Sequence, residues 1–138
     1  DTKYISAIGF SFGALPAIAN IKELNELILL MPFVNYNVHN KNDGEDLNKT
    51  FNFINNAFPL TYRLNKNKLL AELKEFNYES FIKKNKTMLK LVYGEKDKNI
   101  PKEEIDWIKN NFNVKFEIGL NIDHSCNLGK ENWLRVLK

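Results

Sequence analysis

Residues 9–13 of the 138-residue chain read Gly-Phe-Ser-Phe-Gly. A serine hydroxyl attacks an acyl carbonyl once a base takes its proton and nearby donors stabilise the oxyanion. This segment follows a short apolar run, Tyr4 to Gly9, and precedes a helical pattern. A sharp turn there lifts the Ser11 hydroxyl on strained backbone angles, and Gly9 and Gly13 are expected to leave room for the adjoining strand and helix. The same turn sets Ser11 beside a helix N-terminus and offers the Phe12 N–H to a developing oxyanion. The alternative is an ordinary strand-to-helix turn, with glycines for geometry and Ser11 as the helix cap.

A nucleophilic serine needs a base, and the histidines are His39 and His124. His124 follows the last strand-like segment within Asn121-Ile122-Asp123-His124-Ser125, whereas His39 lies in a polar, asparagine-rich stretch remote from any strand end and reads as a surface residue. The imidazole in turn needs an orienting carboxylate. Asp97 follows the third strand in Gly94-Glu95-Lys96-Asp97-Lys98-Asn99-Ile100-Pro101. It reads either as that carboxylate or as a turn-forming aspartate. Asp123 is a poorer candidate because adjacent side chains diverge, and Glu95 reads as a loop surface charge.

The elements that must position these residues follow from periodicity. Tyr4 to Gly9 suits a strand buried on both faces. Leu15, Ile18, Ala19, Ile21 and Leu24 recur at helical spacing, with Pro16 in the first turn where a missing N–H is harmless. Leu27 to Met31 and Met88 to Tyr93 read as further buried strands, and Val114 to Ile118 alternates as a strand near a sheet edge. Helical patterns lie near Leu47–Phe58, Lys66–Phe76 and Tyr78–Lys84. Pro101 opens another, with Glu103 and Glu104 in the first turn where the macrodipole favours them. Lys130 to Leu137 is the last. Strands alternating with helices predict an α/β fold, a mostly parallel sheet flanked by helices, whose active groups sit at the carboxyl ends of the strands. Ser11, Asp97 and His124 each fall at such an end.

The elbow Gly9–Gly13, the acid loop Gly94–Pro101 and the Asp123-His124-Ser125 loop, in the order Ser, Asp, His, resemble the serine α/β-hydrolase superfamily of esterases, lipases and thioesterases. The resemblance implies a partial α/β-hydrolase fold: the four strands correspond to the last four of the family, and residues 33–86 form a helical cap. It implies Ser11, Asp97 and His124 as catalytic residues, Phe12 as an oxyanion donor, Gly9 and Gly13 as elbow glycines, and no metal or organic cofactor. The substrate it implies is a small-molecule or lipid acyl ester or thioester, cleaved by hydrolysis or transferred to another acceptor. The family's first four strands have no counterpart here, nor has the loop that supplies its second oxyanion N–H, a loss of about 3 kcal/mol in transition-state stabilisation. The expectation is an intact product longer than this chain, with these 138 residues alone feebly active at best. The first strand then leaves an open edge suited to self-association. The rival reading is a non-catalytic module that acts by binding.

Composition narrows the remainder. The chain is 43% hydrophobic and 27% charged, which excludes collagen-like and wholly disordered classes. Its 20 basic and 17 acidic residues are mixed along the sequence, so no electrostatic case for nucleic acid exists. Leu27 to Val34 is far too short to span a bilayer, and no signal peptide is visible, which points to the cytoplasm. The single cysteine, Cys126, excludes an intramolecular disulfide and reads as a small buried hydrophobe. Asn40 to Gly44 faintly resembles a calcium loop but lacks the twelfth-position carboxylate. Phe51, Phe53, Phe58, Tyr62 and Phe76 read as core, with some available to line an acyl pocket. Lys83, Lys84 and Lys86 form a solubilising face.

Overall fold

The computed structural model describes residues 3–38, 52, 56, 65–76, 86–125 and 127–138. Four strands, β1 (Ser6–Phe10), β2 (Glu26–Leu30), β3 (Met88–Gly94) and β4 (Val114–Leu120), form one sheet in the order β1-β2-β3-β4. Every neighbouring pair is parallel. The α/β expectation therefore holds. Among the described residues the helices are α1 (Ala14–Ala19), α2 (Lys66–Glu75), α3 (Lys102–Asn111) and α4 (Gly129–Leu137).

The central strands carry the core because their side chains are apolar on both faces. Leu27, Leu29 and Leu91 are fully buried, as are Ile18, Ile108 and Val136 from three helices. The outer strands differ in kind. β4 alternates, with Lys115 and Glu117 among its exposed or part-buried positions. β1 carries no charge, and Tyr4, Ile5 and Ile8 stand 64%, 46% and 49% exposed. The burial expected on both faces of the first strand is thus absent, because one flank and one face have no described neighbour to cover them.

Two local readings change, and one buried charge stands out. The helical face expected through Leu24 ends at Ala19: the Asn20 side-chain amide donates to the Pro16 carbonyl at 2.8 Å, and the chain continues as a 3-10 turn over Ile21–Glu23. Glu104 does not sit in water at a helix start. It is fully buried, and its Oε1 accepts the N–H groups of Val34 (2.5 Å) and Asn35 (2.8 Å), pinning α3 to the segment after β2. Lys90 is 5% exposed in mid-strand; its ammonium meets Glu26 at 2.6 Å and donates to the Val136 carbonyl at 2.8 Å. That cation caps the α4 C-terminus, where orphan carbonyls and the macrodipole favour positive charge.

Of the segment 33–86, α2 matches the helix predicted over Lys66–Phe76. Asn65 caps it by accepting the Lys68 N–H at 3.1 Å, and Lys74 lies over the Tyr36 ring at 5.7 Å. Phe76 is part-buried against the core. The helices expected at Leu47–Phe58 (but for positions 52 and 56) and Tyr78–Lys84 lie outside the described residues, as do Asn40–Gly44, Phe51, Phe53, Phe58, Tyr62, Lys83 and Lys84.

Candidate active site

Ser11 begins a 3-10 turn, Ser11–Gly13, that joins β1 directly to α1. Its φ is +50°, in the left-handed region that costs a non-glycine residue energy and persists only where surroundings enforce it. Two contacts hold it. The Ser11 carbonyl accepts the Phe33 N–H at 3.0 Å, tying the turn to the segment after β2. Gly9 lets α1 lie against the strand: a Cβ there would stand 2.8 Å from the Ala14 Cα and 3.1 Å from the Ala17 Cβ. Gly13 departs from expectation. It has φ −65°, ordinary helical backbone, and a Cβ would meet nothing within 4 Å. Neither crowding nor backbone angle requires glycine at that position.

His124 must travel to reach Ser11, since β1 and β4 are the two outer strands, three inter-strand spacings of about 4.8 Å apart. The loop after β4 crosses the carboxyl end of β3 to do so. Gly94 marks the crossing, where an added Cβ would stand 2.5 Å from the Ile122 carbonyl oxygen and 3.0 Å from that of Asp123. Backbone bonds fasten the two loops there: Glu95 N–H to the Leu120 carbonyl (2.7 Å) and Lys96 N–H to the Ile122 carbonyl (3.1 Å). The Phe10 ring lies 5.2 Å from the imidazole, supporting it from the β1 side.

The three predicted polar side chains meet. His124 Nε2 is 3.0 Å from Ser11 Oγ, and Nδ1 is 2.7 Å from Asp97 Oδ2. The Asp97 side chain is 2% exposed and that of His124 19%. Asp97 also forms the turn that was the competing reading: its Oδ1 accepts the N–H groups of Asn99 (2.8 Å) and Ile100 (3.1 Å). One oxygen thus fixes the loop while the other faces the ring. A carboxylate at Nδ1 selects the tautomer that carries its proton there, leaving Nε2 to accept from the serine hydroxyl. Asp123 and Glu95 are not gathered; both are exposed, and Asp123 Oδ1 accepts the Ser125 N–H at 3.1 Å. His39 and Cys126 lie outside the described residues. The Phe12 ring stacks on Phe33 with centroids 4.4 Å apart, which holds the side chain of the residue expected to offer its N–H to the oxyanion.

A shallow, open cavity of about 430 Å³ lies beside His124, lined by Lys96, Lys98 and Asn99 from the acid loop and by Asp123 and Ser125 from the histidine loop. Behind the acid loop, Tyr93 donates to Glu117 Oε1 at 3.0 Å, and Lys109 pairs with the same oxygen at 2.7 Å. The Lys109 ammonium holds the Glu117 carboxyl below the usual carboxylate range. Burial, and then Glu117, push the Tyr93 phenol up. Among the described residues no group of three His, Cys, Asp or Glu side chains is placed to hold a metal ion, and no helix is long and apolar enough to cross a membrane.

Sequence reasoning missed Gly94 as the crossing point and Phe10 and Phe33 as supports. Gly94 carried a signal in being a glycine at a strand end beside the acid loop; the aromatic supports carried none.

The arrangement is an α/β sheet with a serine, an imidazole and a carboxylate joined at its carboxyl rim. No family model matches the chain, and no curated protein sequence does. Among solved structures it is similar to acetyl xylan esterase 1 from Thermoanaerobacterium sp. JW/SL YS485, with a TM-score of 0.57 and 17% identity. The match covers 94% of this chain and 43% of that one, so the chain spans less than half the length of the esterase whose fold it shares.

Proposed function

We propose that the chain carries the catalytic groups of a serine hydrolase acting on a carboxylic ester or thioester. The observation that supports this reading is the unbroken relay from Ser11 Oγ through His124 to Asp97, at 3.0 and 2.7 Å. Ser11 Oγ attacks the acyl carbonyl as His124 Nε2 takes its proton, and the imidazolium so formed is stabilised by Asp97. His124 returns that proton to the departing alkoxide or thiolate. Water, deprotonated by the same nitrogen, then releases the acid and regenerates Ser11. The Phe12 N–H contributes to binding the oxyanion. These steps draw on no cofactor, and an alcohol or thiol acceptor in place of water gives acyl transfer by the same residues. In this reading residues 1–138 form one partial hydrolase domain with 33–86 as its cap.

The test is covalent labelling with a fluorophosphonate, which reacts with an activated serine, read as an adduct on Ser11 by peptide mass. An acetyl ester is the first turnover substrate, since the structural neighbour is named an acetyl xylan esterase. Ser11→Ala is expected to abolish labelling and to reduce ester turnover by about 10⁴-fold or more. Unchanged turnover disposes of the assignment. A second reading, a binding module without catalysis, is favoured by the exposed apolar flank at Tyr4, Ile5 and Ile8. It predicts partner binding or self-association through the β1 edge and no label.

A further inference from the structure

We propose, resting on the hydrolase reading above, that the cavity beside His124 selects substrates bearing an anionic group, a carboxylate or phosphate, near the scissile bond. The depression is shallow and open, and its lining includes His124 and residues of the loop that holds Asp97 but not Ser11, so a substrate engaged by the imidazole meets it on the His124 side. Lys96 and Lys98 project from exposed positions on its acid-loop wall, and neither forms an ion pair with any described residue. They flank Asp97 in sequence, and that carboxylate is already committed to His124 and two backbone N–H groups. It is also 2% exposed.

Two negative groups oppose the proposal and are accounted for. Asp123, on the facing wall, accepts the Ser125 N–H through one oxygen and remains exposed. Glu95 lines the separate cavity behind the acid loop. Lys96 and Lys98 therefore outnumber the single free carboxylate on the walls of this cavity. Ammonium groups on flexible stems suit an anion that is fixed elsewhere on the substrate, because they act as point charges and need no single geometry. Fully hydrated lysines contribute modestly, so about a fivefold preference in kcat/KM is expected, not a strict requirement.

The test compares 4-nitrophenyl acetate with two charged esters. Mono-4-nitrophenyl succinate carries its carboxylate on the acyl side, and 5-acetoxy-2-nitrobenzoate carries it on the leaving group. Each kcat/KM is divided by the same ester's hydroxide rate to remove intrinsic reactivity. The proposal expects at least one charged ester to exceed the neutral one by about fivefold at low ionic strength. That ratio should shrink as salt shortens the Debye length, and should fall severalfold in Lys96→Gln/Lys98→Gln but not in Lys22→Gln at the opposite end of the sheet. Ratios near one for both charged esters, or an equal loss in Lys22→Gln, overturn it while leaving the hydrolase reading standing. Absence of both turnover and fluorophosphonate labelling removes the two together.

Discussion

Gly94→Ala tests the geometry of the site without touching any of its polar groups. The added Cβ would stand 2.5 Å from the Ile122 carbonyl oxygen, where ordinary contact begins near 3.4 Å, so that carbonyl must retreat by about 0.9 Å. The neighbouring wall gives no relief, because the Asp123 carbonyl and the Asp97 Cβ stand at 3.0 and 3.3 Å. Ile122 lies two residues before His124, and its carbonyl also accepts the Lys96 N–H. A retreat of that size carries the imidazole from 3.0 Å toward 4 Å of Ser11 Oγ, beyond hydrogen-bond reach. Misplacement by about 1 Å costs on the order of 100-fold in rate, or ~2.7 kcal/mol. Overpacking costs stability by ~1–3 kcal/mol, a fall in Tm of roughly 3–10 °C for a chain of this length. The assay is the second-order rate of fluorophosphonate labelling, with kcat/KM on an acetyl ester beside it and a circular-dichroism melt to establish that the variant is folded. A folded Gly94→Ala protein that labels within about threefold of the native rate refutes the crossing-point argument.

The two elbow glycines should part company. Gly9→Ala pushes α1 off the strand and is expected to lower both Tm and labelling. Gly13→Ala meets open space in helical backbone and should leave labelling intact while adding about 0.4–1 kcal/mol of stability, read from urea midpoints. Asp97→Asn keeps an Oδ1 for the Asn99 and Ile100 N–H groups but presents an amide donor to His124 Nδ1. Turnover should fall by about 10⁴-fold at nearly unchanged Tm, and a similar loss of both points to a structural role only. The Glu117 carboxyl is held low by Lys109 in the folded chain, so it binds protons less readily there than when unfolded. Its contribution to stability is full above about pH 5 and is lost as pH falls through the depressed folded value. Melts recorded down the acid limb should be shallower for Glu117→Gln, and identical slopes contradict the linkage.

What could be read from sequence was what depends on short range and on strand ends. Leu27–Leu30 and Leu89–Val92 announce buried parallel strands because few polar side chains interrupt them, and a sheet of that kind delivers its loops to one rim. Ser11, Asp97 and His124 were therefore legible as a group before any distance was known. The unread features depend on partners far along the chain. Lys90 looks like an outward residue until Glu26 and the Val136 carbonyl, 46 positions away, make its burial tolerable. Glu104 looks like a helix-start charge until Val34 and Asn35, 70 and 69 positions back, supply two N–H groups. Gly13 misled in the other direction, since a motif position invites a steric reason that its open surroundings do not support.

The bonds that join Glu95 to Leu120 and Lys96 to Ile122 divide the rim unequally. Asp97 and His124 ride together on that stitched pair of loops, whereas Ser11 rides on a short helix at the far side of the sheet. Warming should consequently part hydroxyl from imidazole before it parts imidazole from carboxylate. Loss of serine labelling would then precede melting and reverse on cooling, with the seam between the two halves as the place where the site first comes undone.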